Sequence, residues 1–184
     1  MSEIASTGQL RMVFLRYALV AVPLVLLLGL ASGMLAGSGY DNAWFAALAK
    51  PAIMPPARAF PVAWSILYVM QGIALAIVLQ ARGAAGRTAA TTAFVIQLLL
   101  NLAWSPLFFA AHHVEAALVL IVAIFVAAAV TALLFWRVRP VAGVLMLPYL
   151  AWLLFAGVLN YEIMRLNPGA EALAPKPAST QISL

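Results

Sequence analysis

Three sets of residues are spaced so that one side of a helix would carry aromatic and amide groups together. Trp64, Tyr68 and Gln71 fall at i, i+4 and i+7. Gln97, Asn101, Trp104, Ser105 and Phe108 fall at i, i+4, i+7, i+8 and i+11, and Tyr149, Trp152, Ala156 and Asn160 at i, i+3, i+7 and i+11. Residues three and four apart share a helix face. Indole and phenol rings offer flat apolar surface with one polar edge, and amides offer donors and acceptors without formal charge. Such groups hold and orient a flat hydrophobic molecule. Bond-making sets are scarce by contrast. Glu115 and Glu162 stand near the ends of apolar runs, and His112 and His113 stand between two of them. A Ser-His-acid arrangement, a His-held metal and a mid-membrane proton-relay carboxylate therefore have no candidate members. Adjacent histidines point apart on regular structure, which argues against a shared metal ion. With no cysteine in the chain, disulfides, thiolate metal sites, cysteine nucleophiles and haem attached through cysteine are excluded. Any reaction would need a bound chromophore or oxidant, with tryptophans as electron donors at most.

The elements that position these faces must be membrane helices. Of 184 residues, 66% are hydrophobic and 8% charged, with a mean hydropathy of +1.08. A water-soluble domain of this size cannot hide that much apolar surface. Several runs exceed the roughly 20 residues that cross about 30 Å of hydrocarbon as helix. The reading is an all-α integral membrane protein, a bundle of five transmembrane helices spanning about 17–37, 61–80, 89–111, 114–136 and 140–164. Residues 1–16 read as a polar N-terminal extension and 167–184 as a Pro-rich disordered tail. The first apolar run is longer than the core of a signal peptide, so it reads as a retained span. Gly29, Gly33 and Gly37 make a smooth stripe on it, suited to close helix packing.

Between the first two spans, Pro51, Pro55, Pro56 and Pro61 forbid a continuous helix from Lys50 to Phe60. Pro61 then suits the first turn of the helix that carries Trp64 and Tyr68. This rigid connector reads as a lid over a pocket formed where the three aromatic and amide faces converge, a usual make-up for a small-molecule site. Five spans put the termini on opposite sides. Arg11, Arg16, Arg82, Arg87, Arg137 and Arg139 lie on the N-terminal side, against Lys50, Arg58, Arg165 and Lys176 on the other. Counting basic residues places the N-terminus in the cytoplasm and the lid outside. The net charge of +5 is spread over span ends, which makes no nucleic-acid surface.

Plainer readings exist for each residue. Taken alone, Gln97 and Asn101 are well explained as interhelical hydrogen-bonding glue. Trp136 and Tyr161 suit interface anchors, as Trp64 does in the first turn of its span; Trp104 and Trp152 sit deeper, and an anchor role explains them less well.

The motifs also resemble a known family. Trp44, Phe45, Leu48, Lys50, Pro51, Pro55, Pro56, Phe60, Pro61, Trp64, Leu67 and Tyr68 form W-F-x-x-L-x-K-P…P-P…F-P-x-x-W-x-x-L-Y. Together with Q-x-x-x-N-x-x-W-S-P-x-F-F from Gln97 to Phe109 and P-Y-L-A-W…L-N-Y-E-x-M-R-L-N from Pro148 to Asn167, this resembles the TspO/MBR family over about residues 18–167. That family holds the bacterial tryptophan-rich sensory proteins and the mitochondrial translocator protein, once called the peripheral benzodiazepine receptor. The resemblance implies a five-helix bundle, often a homodimer, whose first loop closes over a cavity for porphyrins such as protoporphyrin IX, sterols and synthetic ligands. It implies a ligand site of Phe45, Pro55, Trp64, Tyr68, Asn101, Trp104, Trp152 and Ala156, no covalent cofactor and no metal. A literal match to the family's sterol motif is Leu159, Tyr161 and Arg165, a weak pattern. A light- and oxygen-dependent porphyrin degradation, implied for some bacterial members, would involve Trp64 and Trp152. Other expectations are a bacterial cell envelope membrane, membrane lipid as partner and a regulatory role through another protein. The chain departs from the family at Ala52 and Ile53, where K-P-x-W-x-P-P usually supplies a lid tryptophan.

Overall fold

The computed structural model describes residues 7–173. Helix α1 (Thr7–Leu35) begins ten residues before the expected span. The reason is local: Met12, Val13, Phe14 and Leu15 continue the apolar character between Arg11 and Arg16, so only the first six residues remain of the polar extension, and they lie outside the described part. Pro23 sits inside α1 without ending it. The connector contains a short helix, α2 (Ala43–Ala47), started by Asn42, whose side chain accepts from the Phe45 backbone N–H at 3.0 Å. From Leu48 to Arg58 the chain is irregular, as its prolines require.

Helix α3 (Ala59–Gln80) is the second span, and α4 (Arg87–Ser105) continues through a π-helical turn, Pro106–Ala110, as the third. Pro106 lacks the N–H that an α-helical ladder would use, and the wider turn accommodates it. His112, with φ of 62°, closes the tight turn into α5 (Val114–Val138). The fifth span is two pieces, α6 (Pro140–Leu145) and α7 (Leu147–Leu166), with Pro148 in the first turn of α7. Asn167 to Leu173, expected as part of a disordered tail, instead folds back and ends in a 3-10 turn, Ala170–Leu173; the remainder of the tail, 174–184, lies outside the described residues.

Among the described residues, five helical spans are long and apolar enough to cross a membrane. Large apolar side chains such as Leu19 and Val119, 73% and 70% exposed, would be an aggregation surface in water. They are the lipid-facing wall of a multi-pass membrane protein. Helix α1 packs along α3, α4 along α5, and α5 against both α6 and α7. With little hydrophobic drive between helices in lipid, close backbone approach must supply the contact. Gly72 does so for α3: a Cβ there would lie 2.6 Å from the Val22 Cα and 3.1 Å from the Ala21 carbonyl oxygen of α1. Gly29 gives α1 the same freedom toward Tyr68, whose ring lies where a Cβ would stand. Gly33 differs, since a Cβ there meets only Ser38, at 3.8 Å.

Gly72→Ala should therefore push α1 and α3 apart and cost about 1–3 kcal/mol, whereas Gly33→Ala should fall within about 0.5 kcal/mol of wild type. Thermal unfolding of the two variants in one detergent checks this. Equal melting temperatures would mean that close approach does not hold the pair together.

Candidate functional site

The sequence-predicted residues fall into two aromatic clusters, one inside the bundle and one under the lid. In the inner cluster, Trp64 stacks on Tyr68 with ring centroids 5.2 Å apart, and it meets Trp152 edge-on at 6.3 Å. Phe60 reaches Trp152 at 6.1 Å. The Tyr68 hydroxyl donates to the Asn101 Oδ1 at 2.9 Å, tying α3 to α4. Residues from α3, α4 and α7 thus converge as helical spacing predicts. Tyr68 and Asn101 are buried, while Trp64, Trp152 and Ala156 are half-buried.

The faces meet rather than stand apart. Tyr68 occupies the space that Gly29 leaves open, so the rings themselves fill the middle of the site. Open volume adjoins them instead: a cleft of about 480 Å³ between α3 and α7 is lined by Leu67, Met70, Trp152 and Phe155, among others. Trp152 is therefore the side chain that belongs to both the packed interior and the open cleft.

In the lid cluster, Phe45 is buried against Tyr40 at 5.4 Å, Phe109 at 5.3 Å and Phe108 at 6.1 Å. Pro55 contributes its carbonyl oxygen, which accepts from the Tyr40 hydroxyl at 3.2 Å. Trp104 stacks on Phe108 at 4.9 Å and donates its indole N–H to the Ala117 carbonyl of α5 at 3.2 Å. Its polar edge is thus spent on holding α4 to α5. Phe45, Pro55 and Trp104 form a roof beside the inner cluster.

Several contributors lie outside the ligand site that the family resemblance implies. Tyr149 is fully buried, 6.4 Å from Trp64, and its hydroxyl approaches the Tyr68–Asn101 pair without a well-formed hydrogen bond to either. Its place on the Tyr149, Trp152, Ala156 face was the available signal. Gln97 donates to the Gln71 Oε1 at 3.0 Å, and Asn160 donates to the Val114 carbonyl at 3.0 Å. These amides act as interhelical glue. Tyr40 and Trp44 gave no periodic signal, because they lie on a connector.

Residues 20–166 match the TspO/MBR family. The chain belongs to that family. It is 41% identical over 126 residues to the tryptophan-rich protein TspO of Chlorobaculum tepidum, covering 68% of this chain and 80% of that protein. It is 35% identical over 133 residues to protein CrtK of Rhodobacter capsulatus, covering 72% and 83%, and 39% identical over 128 residues to the translocator protein of Sus scrofa, covering 68% and 76%.

The three residues of the sterol pattern do not share one surface. Leu159 is buried, whereas Tyr161 and Arg165, four residues apart on α7, are exposed, with Arg165 paired to Glu162 at 2.7 Å. Ala52 and Ile53 are exposed and take no part in fastening the lid, which is held by bonds between side chains and backbone groups. Lys50 donates to the carbonyls of Phe45, Ala46 and Leu48 at 2.7, 3.1 and 2.9 Å, closing the end of α2, and its partial burial lowers its pKa. The Asn167 side chain accepts from the Ala49 N–H at 2.7 Å and donates to the Ala49 carbonyl at 2.9 Å. Trp44 donates to the Ala170 carbonyl at 2.9 Å and lies 4.4 Å from the His112 ring. The segment after α7 is thus a strap across the lid.

Asn167→Ala removes both bonds to Ala49. Hydrogen exchange of the lid amides should rise about tenfold, the equivalent of roughly one to two net hydrogen bonds, while exchange in α5 stays unchanged. Unchanged lid exchange would show that the strap does not hold it.

Proposed function

We propose that this chain is a membrane receptor or transporter-like protein that binds porphyrins, protoporphyrin IX in particular, and related flat hydrophobic molecules between α3, α4 and α7, with a role in tetrapyrrole regulation. The observation that carries the reading is the meeting of Trp64, Tyr68 and Trp152 over the buried Tyr68–Asn101 hydrogen bond. Aromatic faces at this depth suit a planar ring system, and Asn101 and the Tyr149 hydroxyl supply polar groups to orient it. The adjoining shallow cleft between α3 and α7 gives such a molecule a way in beside Trp152. Family membership supports the same reading. In this account the ligand enters beside Trp152 and displaces the Tyr68 ring from its place against Gly29. The setting we infer is a bacterial cell envelope membrane, N-terminus in the cytoplasm, with the chain as a homodimer.

A second reading, light- and oxygen-dependent porphyrin oxidation, is favoured by the 6.3 Å separation of the Trp64 and Trp152 rings. Contact of this kind lets an electron pass between the indoles as porphyrin is oxidised and dioxygen reduced. If it holds, Trp64→Phe and Trp152→Phe each slow product formation under illumination without abolishing dark binding.

The binding test is a titration of protoporphyrin IX into detergent-purified protein in the dark, followed by tryptophan quenching. Saturable binding should weaken about tenfold in Asn101→Ala and in Trp152→Phe, each losing one buried polar or aromatic contact. Quenching that never saturates, or equal affinity in all three proteins, contradicts the reading.

A further inference from the structure

The geometry points to a separate binding site at the other end of the bundle, where a cleft between α1 and α3 takes the phosphodiester headgroup of an anionic phospholipid. The cleft measures about 610 Å³ and is lined by Val13, Arg16, Tyr17, Val20, Leu79 and Arg82. Two arginines and one tyrosine thus line a single opening whose other lining residues are apolar. It lies on the N-terminal side, far along α1 and α3 from the lid, and shares no residue with the aromatic clusters.

The polar groups are arranged before any ligand arrives. Arg82 donates from Nε and Nη2 to the Tyr17 hydroxyl oxygen at 3.2 and 3.1 Å, and its guanidinium stands 5.9 Å from the Tyr17 ring centroid. This fixes the guanidinium plane and leaves its remaining N–H groups to donate elsewhere. A hydroxyl that accepts from a cation is also polarised as a donor, so the Tyr17 O–H can give a third bond to an oxyanion. Arg16 has neither a hydrogen bond nor an ion pair among the described residues. The side-chain contacts with carboxylates there, His113–Glu171 and Arg165–Glu162, are both at the lid end. All carboxylates among the described residues, Asp41, Glu115, Glu162 and Glu171, belong to that end as well.

Two forked cations without a carboxylate match a phosphate, which guanidinium binds through paired N–H···O bonds. The apolar walls select the source. Val13, Val20 and Leu79 continue into the exposed α1 residues Leu19, Leu24 and Leu27, a surface that lies along hydrocarbon. A free phosphate would leave those walls uncovered. A phospholipid covers them with its acyl chains while its headgroup reaches the arginines.

The test is native mass spectrometry of the full chain released from detergent with dioleoyl phosphatidylglycerol or dioleoyl phosphatidylcholine added. Phosphatidylglycerol adducts should persist where phosphatidylcholine is lost, and Arg16→Gln and Arg82→Gln should each lower phosphatidylglycerol occupancy about fivefold. Arg137→Gln, at the same membrane surface but outside the cleft, should leave it unchanged; circular dichroism confirms that each variant keeps its helices. Equal losses in Arg16→Gln and Arg137→Gln would reduce the effect to the general positive charge of this side and overturn the site. So would full displacement of the lipid by millimolar inorganic phosphate.

Discussion

The hydrogen bond from the Tyr68 hydroxyl to the Asn101 side chain is the interaction around which the interior is arranged. In hydrocarbon, water cannot satisfy a polar group, so an amide and a phenol at this depth gain by finding each other. Their pairing fixes the rotation of α3 relative to α4. Rotation then decides the rest: Trp64, one turn before Tyr68, comes to lie against Trp152 and Tyr149, and the Tyr68 ring presses on α1 where only a glycine leaves room. Such bonds in membranes contribute modestly, about 0.6–2 kcal/mol, so the pair specifies an arrangement more than it secures one. A contact of that size can be exchanged for a ligand.

The lid follows a different logic. Its prolines deny it a helical ladder, so its backbone groups are satisfied by side chains. Lys50 closes the end of α2, Tyr40 reaches the Pro55 carbonyl, and the strap after α7 binds Ala49 through Asn167. The aromatic roof of Phe45, Phe108 and Trp104 is anchored to α4 and α5 rather than to the inner cluster. Lid and interior are therefore joined through α4, which carries Asn101 on one turn and Trp104 on the next.

Much of this was legible in the amino-acid sequence because lipid imposes simple rules. Hydropathy and length located five spans, and the inward turn of Gln71, Gln97, Asn101 and Asn160 follows from the cost of exposing amides to hydrocarbon. What periodicity could not supply was distance between faces. It brought Trp64, Tyr68 and Trp152 to one place but not the fact that Tyr68 would fill that place, which depends on the absence of one Cβ at Gly29 on a different helix. The ordered strap was missed for a related reason. Proline-rich composition argued for disorder, while the contacts of Asn167 and Ala170 with the lid are long-range and have no local signature. The start of α1 was set too late because Arg11 and Arg16 looked like a boundary, although arginine stems lie comfortably along an apolar helix.

The central claim is that the inner aromatic cluster, and not the lipid-facing wall, is where a porphyrin binds. Photolabelling with a diazirine-bearing porphyrin, followed by peptide mapping, tests it most directly. The account predicts saturable adducts on the segments holding Trp64 to Gln71 and Tyr149 to Ala156, suppressed by excess protoporphyrin IX. Adducts confined to exposed residues of α1 and α5, such as Leu19 and Val119, would contradict it.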